Sequence, residues 1–375
     1  MMLKVGVLRE INPYEGRVAL TPGGVAVLVK NGIDVFIEEN AGEDSQFNNI
    51  EYERAGAVIL PTSEKVVKKA ELILKIQPLK PVEYELLNDS HVLISFSDYN
   101  YNTKRLNAFM ETKATFFSAE LLQDAQGKYP VLMGMSEVAG KMVVSQASQL
   151  LTIDEGGKGK LLQGTSVTKP ANIVIVGAGQ VGRTAAVEAL HSGASVNLLT
   201  FKAGKLEEFA ADNPKIKIEN YSEELLRTLL PKTDVLIVAV FSLHTNFDIV
   251  ITKEMVNLME KGSVVIDVSV EKTKVVETSH ITDHGKPSFV LDGIVYYCVP
   301  NIPARVPITS SHIHTKSILP FVKLLAMKGL KGAIEEEPGF LTSLIIYKGK
   351  ITNRVYAELN GNEFYNIFEL LEMNL

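Results

Sequence analysis

Short runs with strand character alternate with segments of helical spacing along the first ~130 residues, the pattern of a parallel sheet covered by helices. Val5-Gly-Val-Leu8, Asp34-Val-Phe-Ile-Glu38, Leu72-Ile-Leu-Lys-Ile76, Val92-Leu-Ile-Ser-Phe96 and Thr115-Phe-Phe-Ser118 read as strands. After the first of them, Thr21 caps a helix that Pro22 opens, with Val25, Leu28 and Val29 on one face. A helix over Ser136–Leu151 leads away from this region, and the glycine- and charge-rich stretch from Asp154 to Pro170 reads as loop. A second series of strands follows: Asn172-Ile-Val-Ile-Val176, Ala194-Ser-Val-Asn-Leu-Leu199, Asp234-Val-Leu-Ile-Val-Ala-Val240, Ser263-Val-Val-Ile-Asp-Val268 and the run around Cys298. From Thr309-Ser-Ser311 a long helix carries Ile313, Ile318, Leu319, Phe321, Val322, Leu324 and Leu325. The tail behind it is too short for a domain of its own and is expected to return to the first one.

The sharpest local feature is Gly177-Ala-Gly-Gln-Val-Gly182, set between a strand and the helical run Arg183–His191. Gly177 permits the tight turn, Gly179 lets backbone approach a pyrophosphate, and Gly182 lets the helix pack flat on the sheet. First-turn N–H groups, those of Gln180 and Val181 among them, then face an anion. The strand–loop–helix context turns a weak motif into a dinucleotide-binding expectation. The predicted fold is therefore α/β, two Rossmann-like domains with parallel sheets. The nucleotide-binding domain, residues 136–309, is inserted into a discontinuous substrate domain of residues 1–135 and 310–375.

A carboxylate about 20 residues further on normally takes the ribose hydroxyls. The second strand here ends Leu198-Leu-Thr-Phe-Lys202 instead. Thr200 donates one hydrogen bond without excluding a 2′-phosphate. Lys202 is either an anchor for such a phosphate or a solvated loop lysine. NAD is the expected coenzyme and NADP the alternative.

Bulk composition narrows the class. At 375 residues, 46% hydrophobic and 22% charged, the chain matches an ordinary soluble globular protein with room for two cores. A formal charge of −6 gives no electrostatic case for nucleic acid or an acidic membrane surface. The apolar runs are too short to span a bilayer, and the opening Met-Met-Leu-Lys-Val lacks a signal-peptide shape, so a cytoplasmic protein is expected. The single cysteine, Cys298, excludes an intrachain disulfide and reads as a buried structural thiol. The histidines, including His280, His284, His312 and His314, form no metal pattern.

Two basic residues occupy unusual settings. Arg17 precedes the capped helix, where a guanidinium fork suits bidentate capture of a carboxylate, although a surface arginine reads equally well. Lys75 interrupts an apolar run near its end, a place where lysines snorkel or have a partner.

From Lys4 to Lys350 the chain resembles the alanine dehydrogenase/pyridine nucleotide transhydrogenase family. The matching pieces are Glu15-Gly-Arg-Val-Ala-Leu-Thr-Pro22, Leu74-Lys-Ile-Gln-Pro78, Met135-Ser-Glu-Val-Ala-Gly-Lys141, the glycine loop, Ile266-Asp-Val-Ser-Val-Glu271, Val299-Pro-Asn-Ile-Pro303 and Val306-Pro-Ile-Thr-Ser310. The resemblance implies two domains with the active site in the cleft between them, homo-oligomeric assembly, and NAD-linked oxidative deamination of L-alanine or its reverse. By position it implies that Arg17 binds the substrate carboxylate and that Lys75 assists at the carboxylate or carbonyl. It sets Ser136 and Asn301 at the nicotinamide, with Asp267 and the loop Val240–Asp248 near the cofactor.

Two departures stand out. The family's catalytic histidine falls on or next to Asp98 here, and its aspartate after the Asp267 strand becomes Glu271. Asp98 is the substitute acid/base candidate, provided burial raises its affinity for protons, and Glu271 completes the catalytic set with Lys75. The leading expectation is an NAD(P)-dependent amino-acid dehydrogenase acting on a small amino acid. The alternatives are an opine- or saccharopine-type reductase, a non-catalytic NAD(H)-binding protein, and a transhydrogenase subunit whose membrane partner is encoded elsewhere.

Overall fold

The computed structural model describes residues 2–99, 102–240, 251–271 and 274–373. Beyond Val240, the loop expected through Asp248 lies outside the described residues. The strands are β1 (Val5–Val7), β2 (Val35–Glu38), β3 (Val58–Leu60), β4 (Leu72–Leu74), β5 (Val92–Ser95), β6 (Thr115–Ser118), β7 (Asn172–Val176), β8 (Ser195–Thr200), β9 (Lys217–Asn220), β10 (Val235–Val238), β11 (Val264–Asp267), β12 (Ser288–Leu291), β13 (Ile294–Tyr297), β14 (Leu344–Tyr347) and β15 (Lys350–Ile351). Two compact units result, one of Met1–Met135 with Ala304–Leu375 and the other Ser136–Pro303.

In the first unit the described strands form one eight-stranded sheet, ordered β15-β14-β6-β5-β4-β1-β2-β3. Strands β1 to β6 run parallel, and the returning tail adds β14 antiparallel to β6. Side chains alternate between two faces as the pleat requires. Val5, Val7, Leu72 and Leu74 pack into one core with Ile318, Val322 and Leu325 of the Pro307–Glu336 helix. Ile73 and Leu93 enter the opposite core with Phe109 and Phe116. Gly6 faces that second layer, where a Cβ would meet Val66 at 2.8 Å and Ala70 at 2.9 Å.

The second unit carries a seven-stranded sheet ordered β12-β13-β11-β10-β7-β8-β9, parallel except for the edge strand β12. Both sheets therefore contain a doubly wound run, in which the strand order reverses between β1 and β4 and again between β7 and β10. Ligands in such sheets bind outside the carboxyl ends of the strands flanking the reversal. No helix among the described residues is long and apolar enough to cross a membrane.

The structure adjusts several element ends. The Ser136 helix starts earlier, at Pro130, where proline suits a first turn, and runs to Leu150. The long helix likewise opens at Pro307 rather than Thr309 and breaks at Gly329, whose φ is 66°. Strand β4 stops at Leu74, which leaves Lys75 just past its end. Cys298 similarly follows the end of β13.

Candidate active site

At the β1/β4 reversal, Val7 pairs with Leu74, so the chain leaves the sheet side by side at Glu10 and Lys75. Lys75 is completely buried and donates from Nζ to Glu83 Oε1 at 2.5 Å, with Glu10 Oε2 at 3.8 Å. Glu83 is the third residue of a short helix opened by Pro81, and its Oε2 accepts from the Lys80 N–H at 2.8 Å. Glu10 Oε1 accepts from the backbone N–H groups of Ile76 at 2.7 Å and Gln77 at 3.4 Å, while Oε2 has no hydrogen bond. Burial pushes the Glu10 carboxyl up to about 7, against the pull of Lys75.

Arg17 is also buried and held as a fork. Its Nε donates to Glu15 Oε1 at 2.7 Å and its Nη2 to Glu15 Oε2 at 2.6 Å, while Nη1 meets Met135 Sδ at 3.5 Å. Gln77 Nε2 also donates to Glu15 Oε2, at 2.7 Å, so Glu15 is fixed from two sides. The guanidinium carbon stands 5.8 Å from the Phe96 ring centre. The His314 ring also packs against Phe96, tilted, with its centre 6.0 Å away. His314 is fully buried, its Nδ1 lies 3.0 Å from the Ala19 carbonyl, and its Nε2 has no partner. Burial holds this imidazole down at about 4, so it is neutral at physiological pH and Nδ1 carries the proton toward Ala19.

Asp98 is paired differently. Its Oδ2 accepts from Arg105 Nη1 and, at 3.5 Å, from Asn102 Nδ2, and its Oδ1 is buried without a partner. Arg105 also donates to the Leu79 carbonyl, which ties Asp98 into the local framework.

The second unit gathers the glycine loop at the β7/β10 reversal. Gly177 has φ 104°, and a Cβ there would stand 2.3 Å from the Ala239 carbonyl and 3.2 Å from Val240. A Cβ on Gly182 would fall 1.8 Å from the Gly177 carbonyl oxygen. Gly179 is exposed, caps the Gln180–His191 helix, and has open space where a Cβ would stand. The loop thus offers an exposed glycine and helix N–H groups that no carbonyl of the preceding turn can reach. Those features fit a pyrophosphate. Gly140 packs on this helix, with Val181 O 2.8 Å from an added Cβ, and half-buried Ser136 lies one turn earlier.

The remaining positions sit at other strand ends. Thr200 closes β8 and is nearly buried, whereas Lys202 is exposed. Asp267 closes β11, accepts from the Ser269 N–H at 2.9 Å, and is pushed up to about 6 by burial. The Ser279 hydroxyl lies beside it and pulls the other way, although neither Asp267 Oδ2 nor Ser279 Oγ completes a hydrogen bond. Glu271 is exposed in the turn after β11, and exposed Asn301 adopts φ 56° beyond β13.

Sequence reasoning singled out Arg17 and Lys75 but missed Glu10, Glu15, Gln77, Glu83, Phe96 and His314. Two of these had a readable signal. Glu15 lies two residues from Arg17, and Pro81 with Glu83 is a helix-start signature. Glu10 and His314 reach the site only through tertiary packing.

A glycine-loop dinucleotide fold joined to a second doubly wound unit, with buried cations at its own reversal, defines a two-domain nicotinamide-dependent enzyme class. Residues 6–139 match the N-terminal domain and residues 143–354 the C-terminal domain described as alanine dehydrogenase/PNT. An alanine dehydrogenase from Halomonas elongata is 34% identical over 370 residues, covering 98% of this chain and all of that one. One from Methanococcus maripaludis is 35% identical over 359 residues, covering 94% and 95%. A solved L-alanine dehydrogenase superposes with a TM-score of 0.90 at 30% identity, covering 95% of this chain and 99% of that one. A transhydrogenase from Sinorhizobium meliloti, 24% identical with a TM-score of 0.78, shares the fold over 93% of this chain and 99% of its own. The chain belongs to the alanine dehydrogenase/PNT family.

Proposed function

We propose that the protein interconverts L-alanine, or a similarly small L-amino acid, with its 2-oxo acid and ammonium, using NAD. The observation that carries this reading is the pair of buried cations, Arg17 and Lys75, beside the β1/β4 reversal of a family member. Glu15 clamps two nitrogens of Arg17, which fixes the plane of the guanidinium for a bidentate contact with the substrate carboxylate. Lys75, held by Glu83 at 2.5 Å, polarises the substrate carbonyl, and Phe96 walls the Arg17 side.

When bound, the nicotinamide supplies the hydride chemistry. Gly177, Gly179, Gln180, Val181 and Gly182 would hold its pyrophosphate, and Thr200 a ribose hydroxyl. Ser136, Val240, Asp267 and Asn301 would line the rest of the cofactor path. Asp98 is the proposed proton-transfer group in place of the family histidine, and Glu271 the group that meets the substrate ammonium. The family resemblance favours NAD, and exposed Lys202 beyond Thr200 leaves NADP as the alternative. By family resemblance the assembly is a cytoplasmic homo-oligomer.

The test is oxidation of NADH and NADPH by the purified protein with ammonium, across pyruvate, glyoxylate and larger 2-oxo acids. Lysine or ornithine then replaces ammonium on the same set. Ammonium-dependent turnover on pyruvate supports the dehydrogenase. Turnover only with an amino acid as the amine transfers the reading to an opine-type reductase. Tight NADH binding with no turnover on any pair overturns catalysis.

A further inference from the structure

We infer that Glu10 is a positioning residue that takes up a proton when a carboxylate ligand engages Lys75, so that anion binding at this site is coupled to protonation. The inference rests on the reading of Lys75 as a substrate-facing cation.

The argument begins with charge. The side chains of Glu10, Lys75 and Glu83 are 3%, 0% and 7% exposed, and with both acids ionised the trio carries a net charge of −1 in a poorly solvated setting. The neighbouring Arg17–Glu15 pair is neutral as a pair, and Glu15 on its own opposes a charge on Glu10. The groups facing Glu10 are therefore Lys75 at the end of β4, Glu83 on the Pro81–Tyr84 helix and Glu15 on the loop after β1. A ligand carboxylate on Lys75 would add a second uncompensated charge. Buried like charges relax by neutralising one of the acids.

Hydrogen bonding decides which acid yields. Glu83 spends both oxygens on donors, Oε1 on Lys75 Nζ and Oε2 on the Lys80 N–H. Glu10 commits only Oε1, to the backbone of Ile76 and Gln77. Its Oε2 is buried, has no hydrogen bond, and faces Lys75 Nζ at 3.8 Å. A proton on Oε2 therefore breaks no existing hydrogen bond, gives up only the 3.8 Å ion pair with Lys75, and cancels the charge that the ligand adds. Burial already pushes this carboxyl up to about 7, so a modest further push by the ligand changes its occupancy at physiological pH. The ligand is the anionic 2-oxo acid or its isostere. Its affinity falls as pH rises above about 7, by up to about tenfold per pH unit.

Titration calorimetry of the whole protein with oxamate, at saturating NADH and pH 7.5, reads the coupling directly. The titration is run in phosphate and in Tris, whose ionisation heats differ. Wild type is expected to show a buffer-dependent heat corresponding to net proton uptake, and an oxamate Kd that weakens as pH rises from 7 to 8.5. Glu10→Gln is expected to bind oxamate with neither dependence, and Glu10→Asp to restore the uptake. Equal heats for wild type in both buffers overturn the inference without recourse to any variant. So does undiminished proton uptake in Glu10→Gln, and both of these results leave the dehydrogenase reading standing. If wild type turns over pyruvate but gives no oxamate binding, Lys75 coupling alone fails. If neither occurs, the functional reading fails with it.

Discussion

Gly182 stands so close to Gly177 that an added Cβ would lie 1.8 Å from the Gly177 carbonyl oxygen. No rotamer relieves that approach, because both partners are backbone. Gly182→Ala is therefore expected to displace the loop, costing about 2–3 kcal/mol of stability and abolishing NADH binding. Gly179→Ala meets nothing within 4 Å and should leave thermal unfolding unchanged. It should still weaken NADH at least ~tenfold, because the methyl group occupies the side from which a pyrophosphate approaches. Fluorescence titration with melting curves separates the two. A Gly179→Ala protein with wild-type NADH affinity would show that the anion lies elsewhere.

Arg17 and Glu15 call for a gentler substitution. Arg17→Ala leaves the buried Glu15 carboxylate without its cation, at a cost of roughly 3–5 kcal/mol, so a dead Arg17→Ala enzyme would say little about chemistry. Arg17→Lys keeps the charge and loses the fork. The expected result is a KM for the 2-oxo acid raised at least ~tenfold, with NADH affinity unchanged. Steady-state kinetics in ammonium checks it, and an unaltered KM would remove Arg17 from substrate binding.

The legible part of the chain was the part written in local periodicity. Strand runs, the Pro22 helix and the glycine loop all follow from spacing over a few residues, and the parallel runs of both sheets follow from their alternation. Thr21 stands at the N-cap as expected, but its side chain makes no capping hydrogen bond. Tertiary placement was not legible. Nothing near His314 announces that it will bond Ala19 and share the Phe96 ring with Arg17, since those contacts join opposite ends of the chain. Glu10 was equally opaque, because its role appears only when β1 and β4 become neighbours. The β12–β13 hairpin was passed over despite a signal. Its turn is Asp292-Gly293, with φ 53° and 85°, the positive pair that a tight hairpin turn requires.

Cys298 gives a clean chemical test, because it is the chain's single cysteine. It is fully buried, and burial pushes its thiol up to about 12, so the reactive thiolate is scarce at pH 8. Native protein is expected to resist an aromatic disulfide reagent for hours and to release one equivalent promptly in denaturant. Rapid labelling of the folded protein would contradict the burial.

His314 and Glu10 make opposite contributions to the pH dependence of stability. Unfolded, the imidazole takes a proton near 6.5, but in the folded chain it stays neutral down to about 4. The unfolded state therefore binds more protons between those values, and stability falls as pH drops from 6.5 to 4, by roughly 3 kcal/mol in all. Glu10 runs the other way. Folded, it holds its proton up to about 7, while the unfolded carboxyl releases it near 4.5, so stability falls as pH rises through that window. Between pH 4.5 and 6.5 these two slopes offset, while Asp267, pushed up to about 6, adds a decline of its own, so wild type alone does not separate them. Single variants separate them. His314→Asn can still donate to the Ala19 carbonyl and should lose the acid-side decline, so its stability relative to wild type improves steadily as pH falls from 6.5 to 4. Glu10→Gln should lose the decline between 4.5 and 7. Urea unfolding at half-unit pH steps measures both differences. A wild-type-minus-His314→Asn difference that stays constant with pH would mean that the folded imidazole titrates normally and is not buried as described.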